Sequence, residues 1–175
     1  MNKPLAATLA LLALPLSLAA QGPGPRLISA LIDSTGNRVG QVTASEDAGG
    51  ALLQVLVSGL TPGLHGMHLH AGARCEPPAF TTAQGHFNPT GKKHGHKNPE
   101  GAHVGDLPNL TVLADGTGRA QLHVDGWLLR AGEKSVGAPG TALVIHAGPD
   151  DDATDPSGNS GARIACAVIS VAPAE

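Results

Sequence analysis

Turn-forming residues break this chain so often that it cannot build long regular elements. Twenty-four glycines and fourteen prolines, with Asn and Asp among them, punctuate its 175 residues. Between them lie short β-type runs: 27–33, 39–46, 51–58, 64–70, 110–114, 119–124, 142–146 and 164–171. Most are bounded by clusters such as Ser34-Thr-Gly-Asn37, Asp47-Ala-Gly-Gly50 and Asp115-Gly-Thr-Gly118. No sustained 3.6-residue period competes with them. Eight short runs separated by turn chemistry predict a β-sandwich or barrel. Aromatic residues make up only 2%, with no Tyr, so the core must be Leu, Val, Ile and Ala.

The first segment reads differently. Lys3 is followed by an apolar run from Leu5 to Leu18, then by the small residues Ala19 and Ala20 before Gln21. That is the pattern of a signal peptide. Pro4 and Pro15 argue against a buried helix, and the run is shorter than the roughly 20 residues of a membrane span. The expected division is a signal peptide at 1–20, a linker at 21–26 and one domain at 27–175. Such a chain would be exported, to a periplasm or to the medium. No other stretch could cross a bilayer. With a formal charge of −3 and few, scattered basic residues, a nucleic-acid partner is excluded.

Two cysteines, Cys75 and Cys166, remain after the leader. An even count in an oxidising compartment favours a disulfide, with two buried thiols as the alternative. A bridge closing so long a loop stabilises by about 4–5 kcal/mol in the chain-entropy model.

Two gaps, 71–108 and 147–162, are too long for ordinary connections. The nine histidines gather around them. His68 and His70 share one face of a strand by their i, i+2 spacing. His146 closes another strand, His86, His94 and His103 punctuate the first gap, and Asp106 follows His103 by three residues. An all-nitrogen tetragonal set suits copper, and a closed set of His and Asp suits zinc. Two four-donor sites need eight donors where seven side chains are in view, so one imidazole would have to serve both ions. His65 has the opposite strand parity and reads as structural, His123 as surface, Trp127 as packing, and His96 as a weaker rival of His94.

The ordered motifs His65-Gly-Met-His-Leu-His70, Gly85-His-Phe-Asn-Pro89, Lys93-His-Gly95, His103-Val-Gly-Asp106 and Gly161-Ala-Arg-Ile-Ala-Cys166 resemble those of the copper–zinc superoxide dismutases, exported bacterial branch. The likeness runs over about residues 27–171. It implies an all-β fold: an eight-stranded antiparallel Greek-key barrel or sandwich, immunoglobulin-like, with two long functional loops. It implies one copper per subunit on His68, His70, His86 and His146, and one zinc on His86, His94, His103 and Asp106. His86 would be the shared ligand and a proton store. It also implies a Cys75–Cys166 disulfide, Arg163 as the guide for the anion, and Asp150 as the carboxylate behind one imidazole of each site. The substrate would be superoxide, converted to dioxygen and hydrogen peroxide. The competing function is a copper store or carrier on the same fold. Monomer and homodimer are both open.

One departure stands out. The stretch Thr154–Ala162 has no lysine where cytosolic members of the family carry one, and Asp150, Asp151, Asp152 and Asp155 make that loop acidic. Guidance by this loop should be weak or arranged from elsewhere; Lys92, Lys93 and Lys97 of the other loop are candidate substitutes, with a merely solvated role as the favoured alternative.

Overall fold

The first strand, β1 (Leu27–Asp33), ends where Asp33 Oδ1 accepts the backbone N–H groups of Thr35 and Asn37. Gly36 then takes φ +86°, a conformation that costs glycine little, and the chain reverses into β2 (Arg38–Glu46). The structure, a computed structural model, describes residues 25–171. The signal peptide expected at 1–20 lies outside them, as do most of the linker and residues 172–175. The remaining strands are β3 (Gly50–Val57), β4 (Gly63–His70), β5 (Asp106–Val112), β6 (Gly118–Asp125), β7 (Thr141–His146) and β8 (Arg163–Ile169).

All pairings are antiparallel, and the order β1-β2-β3-β6-β5-β4-β7-β8 closes into a barrel. Ile32 opposite Cys166 and Asp33 opposite Ala165 make the closing seam. The crossings from β3 to β4 and from β6 to β7 give the Greek-key path. This is the all-β, eight-stranded barrel expected from the sequence. No helix among the described residues is long and apolar enough to cross a membrane.

Two details differ from the sequence reading. Strand β5 begins at Asp106 rather than 110, because Asp106 and Leu107 pair with His68 and Met67. The register slips next to that pair, where Pro108 can sit without a ladder N–H. A third long connection, 126–140, joins β6 to β7. The Glu46 carboxylate pins it by accepting the N–H groups of Leu129 (2.5 Å) and Arg130 (2.7 Å).

Alternation along the strands decides where the site can be. On β4, Met67 and Leu69 join the barrel core with Leu31, Leu53, Val55 and Ile145, which turns His68 and His70 to the outer face. On β7, Leu143 and Ile145 face the core, yet Ala142 and Val144 are buried too. They lie under the loop after β4, whose Phe80 and Ala83 pack against them and Cys166 in a second apolar cluster. The Cys75–Cys166 disulfide, with Cα atoms 5.6 Å apart, fastens that loop to β8. An outer barrel face roofed by loops can hold polar groups away from water.

Candidate metal centre

The imidazoles of the first set are each held at one ring nitrogen. His68 Nε2–H donates to Asp150 Oδ2 (2.6 Å), His70 Nδ1–H to the Gln84 carbonyl (2.8 Å) and His146 Nδ1–H to the Gly161 carbonyl (3.0 Å). An acceptor at one nitrogen fixes the proton there and leaves the other with a lone pair. Among the described residues, those other nitrogens (His68 Nδ1, His70 Nε2 and His146 Nε2) are the buried side-chain N/O atoms that have no hydrogen-bond partner. Buried polar atoms rarely stay unsatisfied. Here three converge, with His86, in a group whose donor atoms lie within 4.8 Å of one another. Burial above all pushes His70 down to about 2 and His86 and His146 to about 4. All three rings are therefore neutral and able to coordinate at neutral pH.

A second set surrounds Asp106. Its Oδ1 lies 3.0 Å from His86 Nδ1, 3.0 Å from His94 Nδ1 and 3.1 Å from His103 Nδ1, and the Nδ1 atoms of His86 and His103 are 3.3 Å apart. A tetrahedral ion with bonds of 2.0–2.1 Å separates its ligand atoms by about 3.3 Å, so the spacing fits one zinc. Asp106 Oδ2 meanwhile accepts the N–H groups of Gly95 (2.8 Å) and His103 (3.0 Å). Burial alone would raise the Asp106 carboxyl, but bonds from His86 and the Gly95 N–H outweigh it and hold the group well below the carboxylate range. His94 has a carboxylate at each nitrogen, since its Nε2 lies 3.0 Å from Asp150 Oδ1. Burial opposes a proton on His94, yet Asp150 and Asp106 overcome it and raise its affinity for one. Such a position favours positive charge, which a cation at Nδ1 would also supply. His68 lies within reach of His86, His94 and Asp106 as well. His103 completes that set better, because His68 already spends Nε2 on Asp150 and its Nδ1 faces the first set.

His86 belongs to both groups, with Nδ1 given to the second. Asp150 meets one imidazole of each set, through Oδ2 to His68 and Oδ1 to His94. Its neighbour Asp151 turns its carboxylate into its own loop, to Thr154 and Asn159.

Arg163, at the start of β8, donates to the carbonyls of Phe80 and Gln84 at 2.6 Å each. The Gln84 oxygen is also the acceptor for His70 Nδ1–H, so one carbonyl joins the guanidinium to a ring of the first set. Two of the three lysines considered as substitutes face the acidic loop. Lys93 Nζ lies 3.5 Å from Asp155 and Lys97 Nζ donates to the Asp151 carbonyl, so both are spent on the acidic loop.

The matching family model, copper/zinc superoxide dismutase, covers residues 38–169. The chain belongs to that family. It is 46% identical to Cu-Zn superoxide dismutase 2 of Aquifex aeolicus over 142 residues, 79% of this chain and 83% of the relative. Among solved structures it resembles a double mutant of a superoxide dismutase-like protein from Bacillus subtilis (40% identity, TM-score 0.78, 81% of this chain and 95% of that one). The Cu/Zn superoxide dismutase of Brucella abortus matches at 31% identity and TM-score 0.64, over 83% of this chain and 99% of that one. Membership of the copper–zinc superoxide dismutases implies copper and zinc as its metals.

The remaining histidines lie outside both groups. His65 is buried between the carbonyls of His146 (2.7 Å) and Thr61 (2.8 Å). His96 is exposed and pairs with Asp152, while His123 sits on the surface of β6 between Asp47 and Asp125. Trp127 packs edge-on against Phe87 with ring centroids 5.2 Å apart. Sequence reasoning missed Asn109. Its side chain exchanges two bonds with the backbone of Asp150, at 2.8 and 2.9 Å. Gln84 was missed as well, because it acts through a carbonyl that every residue has.

Proposed function

We infer that the chain disproportionates superoxide to dioxygen and hydrogen peroxide: two superoxide anions and two protons give one molecule of each product. One copper would sit on His68, His70, His86 and His146, and one zinc on His86, His94, His103 and Asp106. Copper would supply a one-electron couple there, and zinc, which has no redox chemistry, a fixed positive charge. The observation that carries the copper site is the convergence of three orphaned, buried ring nitrogens.

The protein's own groups have distinct tasks. Gln84, Gly161 and Asp150 fix the tautomers of His70, His146 and His68, so their lone pairs point to one place. His86, neutral at neutral pH, can carry a proton at Nε2 when that nitrogen is free, and so can serve the departing peroxide as a general acid. Arg163 spends two of its five N–H groups on carbonyls, which leaves donors and a permanent charge for an incoming anion. A copper store would have no use for a guanidinium held in that way. The disulfide fits an oxidising compartment, and with the leader supports export to a periplasm or the medium.

The test uses Arg163, which cannot ligate a metal. Purified protein should hold about one copper and one zinc per chain. Arg163→Ser should keep both metals but remove superoxide about tenfold more slowly, the scale of one charge-assisted contact. Arg163→Glu should be slower still. Pulse radiolysis with metal analysis of each protein is the measurement. Equal rates for all three, or zinc without copper after loading, would defeat the reading.

A further inference from the structure

The loop 147–162 supplies no donor to either metal set, yet three of its four carboxylates are turned toward the segment that carries His94. Asp150 Oδ1 meets His94 Nε2, Asp152 Oδ1 accepts the His96 N–H (2.8 Å), and Asp155 Oδ1 accepts the His94 N–H (2.8 Å). The last of these contacts acts on the backbone of a zinc-set residue. Gly95, which follows with φ +91°, is held in turn by its N–H bond to Asp106 Oδ2. A Cβ at Gly95 would come within 2.2 Å of the Asp152 carbonyl, so the two loops touch main chain to main chain. His94 is thus gripped at three points: the ring by Asp106 and Asp150, the peptide N–H by Asp155.

We propose that Asp155 is a positioning residue for zinc, fixing the main chain of His94 from a loop that gives the ion no ligand. The inference rests on the zinc site proposed above. Without Asp155 the His94 segment would keep its side-chain contacts and the Gly95 N–H bond to Asp106, but lose the bond to the His94 N–H itself. An imidazole displaced by a fraction of an ångström no longer completes a four-donor set of fixed spacing. Three of this loop's four aspartates, Asp150, Asp152 and Asp155, therefore support the segment that carries His94. That accounts for their number in a loop that the substrate, an anion, would avoid.

The purified full chain, stripped of metal, is titrated with zinc against a chromophoric chelator, and separately with copper. Asp155→Ala should weaken zinc binding about tenfold to a hundredfold, as loss of an outer hydrogen-bonding partner does, and leave copper binding within about threefold. Asp155→Asn keeps an acceptor oxygen and should restore zinc affinity to within about threefold of the parent. Lys93→Ala, which removes only the exposed ion pair, should also stay within about threefold. Parent-like zinc affinity in Asp155→Ala would overturn the proposal, as would an Asp155→Asn as weak as the alanine variant or equal loss of copper and zinc. A parent that takes up no zinc would remove the zinc site itself. A zinc-binding parent matched by Asp155→Ala removes this inference alone.

Discussion

The two donor sets are built from different materials. His68, His70 and His146 stand on the ladder-bonded strands β4 and β7, and each needs only one outer acceptor to aim its free nitrogen. His86, His94 and His103 come from the loop between β4 and β5, and meet only because Asp106, at the head of β5, faces all three. Three donors of the first set stand on the barrel, and loop groups at Gln84, Gly161 and Asp150 aim them. The second is preformed by side-chain-to-backbone bonds between loops, together with the disulfide that roofs β7 and β8. A strand-borne site should therefore tolerate loop damage that a loop-borne site cannot.

The harshest way to break that contrast is to cut the staple. Cys75→Ser should cost about 2–5 kcal/mol of stability, read by denaturant unfolding. It should also weaken zinc more than copper, because His86 and its neighbours lie on the released loop while His68, His70 and His146 stay on strands. If both metals weaken equally, standing on the barrel does not protect the first set and the contrast is wrong.

The same division decided what could be read from the sequence. Eight strands were legible because period and turn chemistry are local, and His68 and His70 were legible as a pair because strand geometry forces i and i+2 to one face. The 126–140 connection was not, since nothing local says that β6 must cross to β7 instead of pairing with it. Grouping His86, His94, His103 and Asp106 needed a family resemblance, for loops carry no period that predicts convergence. Asp155 and Asn109 stayed hidden because their work is done on backbone atoms, which leave no pattern in residue types. Asp150 could be named among three consecutive aspartates only by resemblance. The geometry separates them, as Asp151 bonds within its own loop.

Acid offers a gentler probe of the buried copper-set rings. His70 is lowered to about 2 and His86 and His146 to about 4, chiefly by burial, from an ordinary value of 6.5. A lowered histidine is neutral in the folded chain and protonated in the unfolded one across that interval. The stability of the metal-free protein should then be complete above about pH 6.5 and fall as pH drops toward 4. Three such groups give a slope of about 3–4 kcal/mol per pH unit near pH 5. Denaturant midpoints of the metal-free chain between those values measure it. A flat profile would mean that these rings are not buried neutral.

The smallest effect lies at His123, a strand histidine with the opposite electrostatics. Its Nδ1 is 2.6 Å from Asp125 and its Nε2 2.9 Å from Asp47, so both ring nitrogens face acceptors and the ring must carry two protons to satisfy them. Bonds to Asp125 first, and then to Asp47, raise its pKa above 6.5. Asp47 lies in the turn after β2, and Asp125 ends β6. The protonated ring therefore ties the β2–β3 hairpin to the neighbouring strand. A raised histidine stabilises fully below its unfolded value and loses that contribution as pH rises through its folded one, the reverse of His146. His123→Gln should lower the melting temperature slightly at about pH 5.5, and by less as pH rises through the raised pKa of the ring. Added salt should narrow the gap, because exposed charges about 3 Å apart are partly screened. Metal content should not change. A melting-temperature difference that grows with pH would mean that the neutral ring, not the cation, makes the tie, and that burial alone does not separate the two kinds of histidine on this barrel.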